Sequence, residues 1–167
     1  MVLRSVCAAD AGRICDIYNW YVLNTIITFE ETAVTEEQMV QRIAGASGQR
    51  PWLVVEDAGR ILGYAYASEW KSRCSYRYSV ETTVYVDREH RGQGIGVQLY
   101  AALIEQLGRT PVHALIAGIA LPNDHSVALH EKMGFRKVAR FEEVGWKFNK
   151  WIDVGYWQKL MPDQGQP

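Results

Sequence analysis

The stretch Val80 to Val97, VETTVYVDREHRGQGIGV, decides the fold. Val80, Thr82, Val84 and Val86 alternate with Glu81, Thr83 and Tyr85, which is the period of a β-strand. A short charged turn follows, and Arg91, Gly92, Gln93, Gly94, Ile95, Gly96 and Val97 then lead into a segment with helical spacing. Glycines at every second position let the backbone approach a bulky group closely. The first N–H groups of the helix have no intrahelical acceptor and lie at the positive end of its dipole. Strand, turn and helix mouth therefore read as an anion site suited to a phosphate or pyrophosphate; the alternative, which holds for most lone glycine-rich turns, is a plain strand-to-helix connection. The spacing Gly92-x-Gly94-x-Gly96 is not the G-x-G-x-x-G of a dinucleotide-binding unit, and no G-x-x-x-x-G-K-[ST] run occurs in the chain.

Upstream of this stretch, Val2 to Val6 reads as a strand. Ile14, Ile17, Tyr18, Tyr21 and Val22 recur at helical spacing and predict a helix to about Leu23. Asn24 to Ala33 has no helical period and reads as an irregular or extended loop. Thr35-Glu-Glu-Gln38 is a capping box that opens a second helix through about Ala46. Trp52 to Glu56 and Ile61 to Glu69 are strands joined by a hairpin turn at Asp57 to Arg60, and Trp70 to Tyr78 is a polar, aromatic connection.

Downstream, the helix after the glycines runs from Gly94 to about Leu107, with Ile95, Leu99, Leu103 and Ile104 on its buried side. Val112 to Ala120 is a continuous apolar strand, as suits a sheet covered on both faces. Pro122-Asn123-Asp124 starts a helix from Ser126 to Met133 that Gly134 ends. Phe135 to Val144 and Lys147 to Leu160 are two strands turning around Gly145, and the polar tail 162–167 is expected to be disordered. The order is β-α-α-β-β-β-α-β-α-β-β, which predicts an α/β protein with a mixed sheet and helices on both faces.

Composition sets the outer bounds. A chain of 167 residues, 48% apolar and 22% charged, is expected to form one domain over 1–167 with a sizeable core. The net charge of −1 gives no general affinity for nucleic acid or an anionic membrane. No apolar run is long enough to span a membrane and the N-terminus has no signal-peptide core, so a cytoplasmic protein is expected. Cys7, Cys15 and Cys74 lack metal-ligand or C-x-x-C spacing and are expected to be buried or incidental thiols, with no metal bound. Six Trp and nine Tyr fit either a packed core or an aromatic-lined pocket, and composition does not choose.

Arg91-x-x-Gly94-x-Gly96 directly after a strand, together with the element order, resembles the GCN5-related N-acetyltransferase (GNAT) superfamily. Within it, Trp70-Lys-Ser-Arg73-x-x-Tyr76, Val80-Glu-x-Thr-Val-Tyr-Val86, Leu121-Pro-Asn-Asp124, Ser126-Val127, Leu129-His-Glu131 and Gly145 through Trp151-x-Asp153-Val-Gly155 are similar to the phosphinothricin N-acetyltransferase family. The likeness runs from about Tyr18 to Gln158. It implies an enzyme that transfers an acetyl group from acetyl-CoA to an amine by direct attack in a ternary complex. Phosphinothricin is the first expected substrate, and sulfone, sulfoximine or arsenic analogues of glutamate or methionine come next. It also implies a homodimer built through the last strands.

The resemblance assigns the residues. Main-chain groups of Val84, Tyr85 and Val86 would hold the acetyl and pantetheine portion, and Arg91, Gly92, Gln93, Gly94, Ile95, Gly96 and Val97 the pyrophosphate. Asn123 and Ser126 would contact the cofactor, although Asn123 is also the natural cap of its helix and has one amide for both tasks. Glu81 would be a general base, its pKa raised by partial burial; the alternative is a salt bridge to Arg73, Arg77 or Arg88. His130 stands where many of the superfamily carry a tyrosine acid, and either acts in catalysis or only packs. Lys71, Arg73, Tyr76 and Thr83 would surround a doubly acidic substrate, with Phe29 and Val154 as walls; the alternative for 70–77 is a solvated surface loop. A polyamine substrate is disfavoured by the cationic loop, and a protein N-terminus or a role as a non-catalytic coenzyme A sensor is the remaining rival.

Overall fold

The strand read first from the sequence lies at the middle of a seven-stranded sheet. The computed structural model describes residues 1–46 and 48–162. Its elements are β1 (Val2–Ser5), α1 (Ala11–Asn24), α2 (Glu36–Ala44), β2 (Trp52–Asp57), β3 (Arg60–Glu69), β4 (Ser79–Val86), α3 (Ile95–Leu107), β5 (Ala114–Leu121), α4 (Asp124–Lys132), β6 (Arg136–Lys147) and β7 (Lys150–Leu160). The sheet order is β1-β2-β3-β4-β5-β7-β6. All neighbouring pairs are antiparallel except β4 with β5, which are parallel. This is the element order and the mixed sheet that the sequence predicts.

Alternation along β4 sends its two sets of side chains to two separate cores. Val80, Val84 and Val86 join the cluster built under α3 and α4, where Leu99, Leu103, Leu107 and Leu115 are wholly buried. Tyr85 joins Tyr18, Tyr21, Val54 and Tyr64 under α1 and α2. Truncating any one of those buried leucines to alanine costs about 2–5 kcal/mol, so either core is a large share of a domain's net stability. Thr35 caps α2 as a capping box, with Gln38 N–H donating to its hydroxyl and its own N–H donating to Gln38. Among the described residues, no helix is long and apolar enough to cross a membrane.

Several boundaries differ from the sequence reading; α2 ends at Ala44 and not about Ala46, and α4 starts at Asp124 and not Ser126. The last hairpin turns at Phe148 and Asn149, both at positive φ, and not around Gly145, which lies inside β6 opposite Ile152. Two consecutive left-handed residues make the tight connection that the twist of a hairpin favours; Phe-Asn lacks the glycine that advertises such a turn. β5 begins at Ala114 and not at Val112, because His113 N–H and Ala114 N–H both donate to the Tyr78 carbonyl before the ladder starts. Of the tail expected to be disordered, Pro162 is exposed and 163–167 lie outside the described residues.

Candidate active site

β4 stays paired with β3 along its length, from Val80 opposite Glu69 to Val86 opposite Gly63. On its other side it pairs with β5 only at Ser79, Val80 and Glu81. Beyond Glu81 the two parallel strands part, and β5 follows β7 instead, as far as Leu121 opposite Asp153. The parting opens a cleft in the sheet. Val84, Tyr85 and Val86 line its β4 side at the end where the glycine turn begins.

That turn is held from α1. Asp87 caps the 3₁₀ turn Arg88–His90 by accepting from Glu89 N–H at 3.1 Å, and is paired with Arg13 and Arg60. The Tyr21 hydroxyl donates to the Val86 carbonyl at 2.5 Å, and Arg91 Nε donates to the Tyr21 oxygen at 3.3 Å. The Arg91 guanidinium lies over the rings of Trp20 and Tyr21, 4.7 and 5.0 Å from their centroids. A cation held against two aromatic faces keeps its charge at the mouth of the cleft. Tyr21 reads in the sequence as one of the apolar positions of its helix and Trp20 carries no reading there, so nothing marks the two as a seat for Arg91.

Gly92 and Gly94 adopt φ of +75 and +79, the left-handed region, and Gly94 is the N-cap of α3. No side chain caps the helix, so helix geometry leaves the N–H groups of Ile95, Gly96 and Val97 without an acceptor. A Cβ placed on Gly92 or Gly94 would meet nothing within 4 Å. Open space, free donors and a fixed arginine fit a pyrophosphate here, and the unpaired edge of β4 fits the thioester arm that would continue from it.

Glu81, the last residue of the β4–β5 ladder, projects to the α1/α2 face. An added Cβ on Gly118 of β5 would touch Tyr156 Cε1 at 3.4 Å and Glu81 Oε1 at 3.5 Å, so carboxylate and ring lie directly over that glycine's backbone. Glu81 makes no hydrogen bond or ion pair among the described residues. Burial raises its pKa, and the Lys71 charge only partly opposes that. The salt-bridge alternative is not realised: Arg77 stacks on Tyr78 and donates to the Cys74 carbonyl, and Arg88 lies over Trp20.

Thr83 and Tyr85 point the same way as Glu81, as does Tyr66, the cross-strand partner of Thr83 on β3. Val154 and Tyr156 on β7 face the same side, opposite Ala120 and Gly118. The loop between α1 and α2 closes this face. Lys147, 2% exposed, donates to the Thr28 carbonyl at 2.7 Å, and the Tyr18 hydroxyl is hydrogen-bonded to the Thr28 hydroxyl at 2.8 Å. Phe29 lies on the bare backbone of Gly145, where an added Cβ would be 2.3 Å from its Cζ. Phe29, Thr83 and Val154 therefore border Glu81's side of the cleft, with Lys71 close enough to influence its charge. Arg73 and Tyr76 are exposed on and beside the 3₁₀ turn Cys74–Tyr76, with Tyr76 edge-on to Trp70.

His130 lies on the opposite side of the sheet. It is 4% exposed, and both ring nitrogens are occupied. A carbonyl only accepts, so the 2.7 Å contact to the Ser126 carbonyl puts the proton on Nδ1, and Nε2 accepts from the Tyr100 hydroxyl at 2.9 Å. Burial lowers its pKa, against the bond to Ser126; a neutral imidazole with its one N–H spent on a carbonyl has no proton aimed at the cleft. Asn123 Oδ1 accepts from Ser126 N–H at 3.2 Å. The cap thus uses the oxygen and leaves the NH₂ for a ligand, so the two tasks expected of this amide fall to different atoms.

Among the described residues there is no group of three His, Cys, Asp or Glu placed to hold a metal ion. Tyr66, Tyr156, Gly118 and Lys147 were not singled out in the sequence. Gly118 alone carries a signal, a lone glycine inside an apolar strand, which marks close approach.

The GNAT acetyltransferase domain family matches residues 3–155. The chain is 36% identical over 157 residues to a phosphinothricin N-acetyltransferase of Streptomyces viridochromogenes, covering 94% of this chain and 86% of that one. It is 34% identical over 168 residues to an L-methionine sulfoximine/L-methionine sulfone acetyltransferase of Salmonella typhimurium, covering 100% and 98%. Among solved structures, a putative acetyltransferase from Salmonella typhimurium with its cofactor acetyl-CoA superposes with a TM-score of 0.96 at 33% identity, over 100% of this chain and 97% of that one.

Proposed function

The chain belongs to the GNAT acetyltransferases and is an acetyl-CoA-dependent N-acetyltransferase, and from that membership we propose that it acetylates the α-amino group of a small amino acid whose side chain ends in a tetrahedral polar group. Phosphinothricin is the first candidate, and methionine sulfoximine and methionine sulfone follow. The observation that carries this reading is the Glu81 carboxylate, partly buried, unpaired and seated over Gly118 where β4 and β5 part.

In this mechanism Glu81 takes a proton from the ammonium, directly or through one water, and frees the lone pair that attacks the thioester carbonyl; the C–S bond of the tetrahedral adduct then breaks, and the coenzyme A thiolate leaves with the second amine proton, passed directly or through solvent. Its raised pKa makes it a better base than an exposed glutamate. Main-chain donors of Val84 to Val86 and the mouth of α3 hold the acyl donor, so that amine and carbonyl meet at the parting of the strands. Lys71 balances the substrate's negative groups near Glu81, and Arg73 reaches in from the 3₁₀ turn. Phe29 and Val154 wall the pocket. His130 supports the cleft and supplies no proton.

The test follows free thiol with acetyl-CoA and a panel of amines. Turnover is expected with phosphinothricin, methionine sulfoximine or methionine sulfone, and not with polyamines. Turnover confined to a peptide N-terminus contradicts the substrate assignment, and no turnover with any amine while acetyl-CoA binds makes the chain a sensor. Expression in a phosphinothricin-sensitive bacterium is expected to confer resistance if that compound heads the panel.

The same reading includes a one-domain, cytoplasmic homodimer. The edge strand β6 and its turn expose Val138, Phe141, Val144, Trp146 and Phe148 beside Trp151 of β7, more apolar surface than a monomer's edge strand commonly leaves uncovered. Sedimentation at low protein concentration checks it: a dimer is expected, and a monomer contradicts it.

A further inference from the structure

A chain of buried polar contacts runs behind the cleft from β4 to α4. The Thr82 hydroxyl lies 2.5 Å from the Tyr100 hydroxyl on α3 and 3.4 Å from the Ile116 carbonyl on β5. Tyr100 donates to His130 Nε2, and His130 Nδ1 donates to the Ser126 carbonyl in the first turn of α4. The directions follow from the far end: Nδ1 must carry the proton, Tyr100 must donate to Nε2, and Thr82 must then give its single hydroxyl proton to the Tyr100 oxygen. Thr82 and His130 are 4% exposed and Tyr100 not at all. Tyr100 also stacks on Phe135 at 5.7 Å, with the imidazole edge-on to both rings.

The position of this chain is what gives it a task. Glu81 opposite Ile116 is the last pair of the β4–β5 ladder, and Thr82 is the next residue. The Thr82 hydroxyl therefore stands at the last rung of the ladder, 3.4 Å from the Ile116 carbonyl, and a buried hydroxyl left without a partner there is costly. Valine at 82 would fill the same volume and serve hydrophobic packing equally well. The hydroxyl is there to be bonded, and its partners tie together the strand that carries Glu81, the helix that opens at Gly94, and the helix capped by Asn123.

We propose that Thr82, Tyr100 and His130 are positioning residues that fix where β4 and β5 part, and so set the distance between Glu81 and the acyl group held by Val84 to Val86. This rests on the acetyltransferase reading above. The chain touches neither reactant and moves no proton in the reaction. Breaking it lets the apex of the cleft shift, which lowers turnover and leaves the α3 mouth in place.

Three substitutions test it in the intact protein: Thr82→Val, Tyr100→Phe and Thr82→Ser. Both Thr82→Val and Tyr100→Phe are expected to lower kcat by about tenfold, within the hundredfold that a displacement of about 1 Å can cost. Acetyl-CoA affinity by calorimetry is expected to change by less than about threefold, since its donors lie at the other end of β4. Thr82→Ser restores most of what Thr82→Val loses, and the double variant Thr82→Val/Tyr100→Phe falls no further than the worse single one, because both cut the same chain. The pH profile of kcat keeps its limbs in all of them. Undiminished kcat, fully additive losses, or a displaced pH limb overturns the proposal, the last because it would make the chain a proton carrier. If Thr82→Val does not fold, Tyr100→Phe, which removes a single oxygen, decides alone. A wild-type protein that turns over no amine defeats the acetyltransferase reading instead, and the two failures are told apart by that control.

Discussion

Gly94→Ala separates the stability of the helix mouth from its use. Gly94 sits at φ +79 and ψ 0, and a Cβ there meets nothing within 4 Å. No clash contributes, so the penalty inside the protein is the left-handed backbone of an L-residue, about 1–2 kcal/mol. Fewer unfolded conformations for alanine return about 0.4–1 kcal/mol of that. The net loss is roughly 1 kcal/mol of unfolding free energy, read from the shift of the denaturant midpoint. If the variant relieves the strain by turning the loop, the N–H groups at the start of α3 lose their aim. One charge-assisted hydrogen bond is worth about 1.5–3 kcal/mol, which raises the acetyl-CoA Kd roughly tenfold to a hundredfold. Gly59→Ala is the control, because Gly59 has the same φ of +79 and the same open surroundings in the β2–β3 turn. Chemical denaturation and calorimetric titration of both proteins give the four numbers. The reasoning predicts similar destabilisation and a loss of affinity in Gly94→Ala alone. Wild-type affinity in Gly94→Ala, or an equal loss in Gly59→Ala, refutes it.

Glu81→Gln is expected to lower kcat by about a hundredfold or more while acetyl-CoA binding persists; near-normal turnover across the pH range rules out Glu81 as the base. In the wild type, kcat/KM falls as pH drops through the raised Glu81 pKa, above the ordinary glutamate range. The same shift acts on stability: a carboxyl with a raised folded pKa contributes stability at low pH that is lost as pH rises through that pKa. Glu81→Gln therefore raises the neutral-pH denaturation midpoint, and the gain shrinks on acidification. Asn123→Ala removes a helix cap, at about 1 kcal/mol, whereas Asn123→Asp keeps the capping oxygen and loses only the NH₂; weakened acetyl-CoA binding in both, with stability lost only in the alanine variant, is the expected pattern in calorimetry and denaturation. Gly145→Ala places a methyl group 2.3 Å from Phe29 Cζ and is expected to raise KM for the amine through the displaced ring, and an unchanged KM removes Phe29 from the pocket wall.

The parts of the fold that were legible in the sequence are those fixed by local chemistry. The alternation of 80–86, the Thr35 capping box and the leucine spacing of α3 each act over a few residues and survive in the structure. The last hairpin departs from its sequence pattern because Phe148 and Asn149 take the positive φ that a glycine usually supplies, while Gly145 is bare to admit Phe29, 116 residues away. The site was legible where main-chain geometry makes it, at Gly92 and Gly94, and where a charge stands in an apolar strand, at Glu81. It was illegible where function depends on a distant partner. Tyr21 gains meaning from Arg91 and the Val86 carbonyl, Trp20 from Arg91 and Arg88, Lys147 from Thr28, and Tyr100 from Thr82 and His130. For His130, the Leu-His-Glu context suggested chemistry, but the residues that occupy both of its nitrogens are not its sequence neighbours alone.

The most direct test of the account is a titration of isotope-labelled protein with acetyl-CoA, followed by backbone amide resonances. The account predicts that the largest shifts fall on Val84, Tyr85 and Val86 and on Ile95, Gly96 and Val97, with Gly92 and Gly94 alongside. Saturating shifts that cluster elsewhere and leave those amides unmoved contradict it.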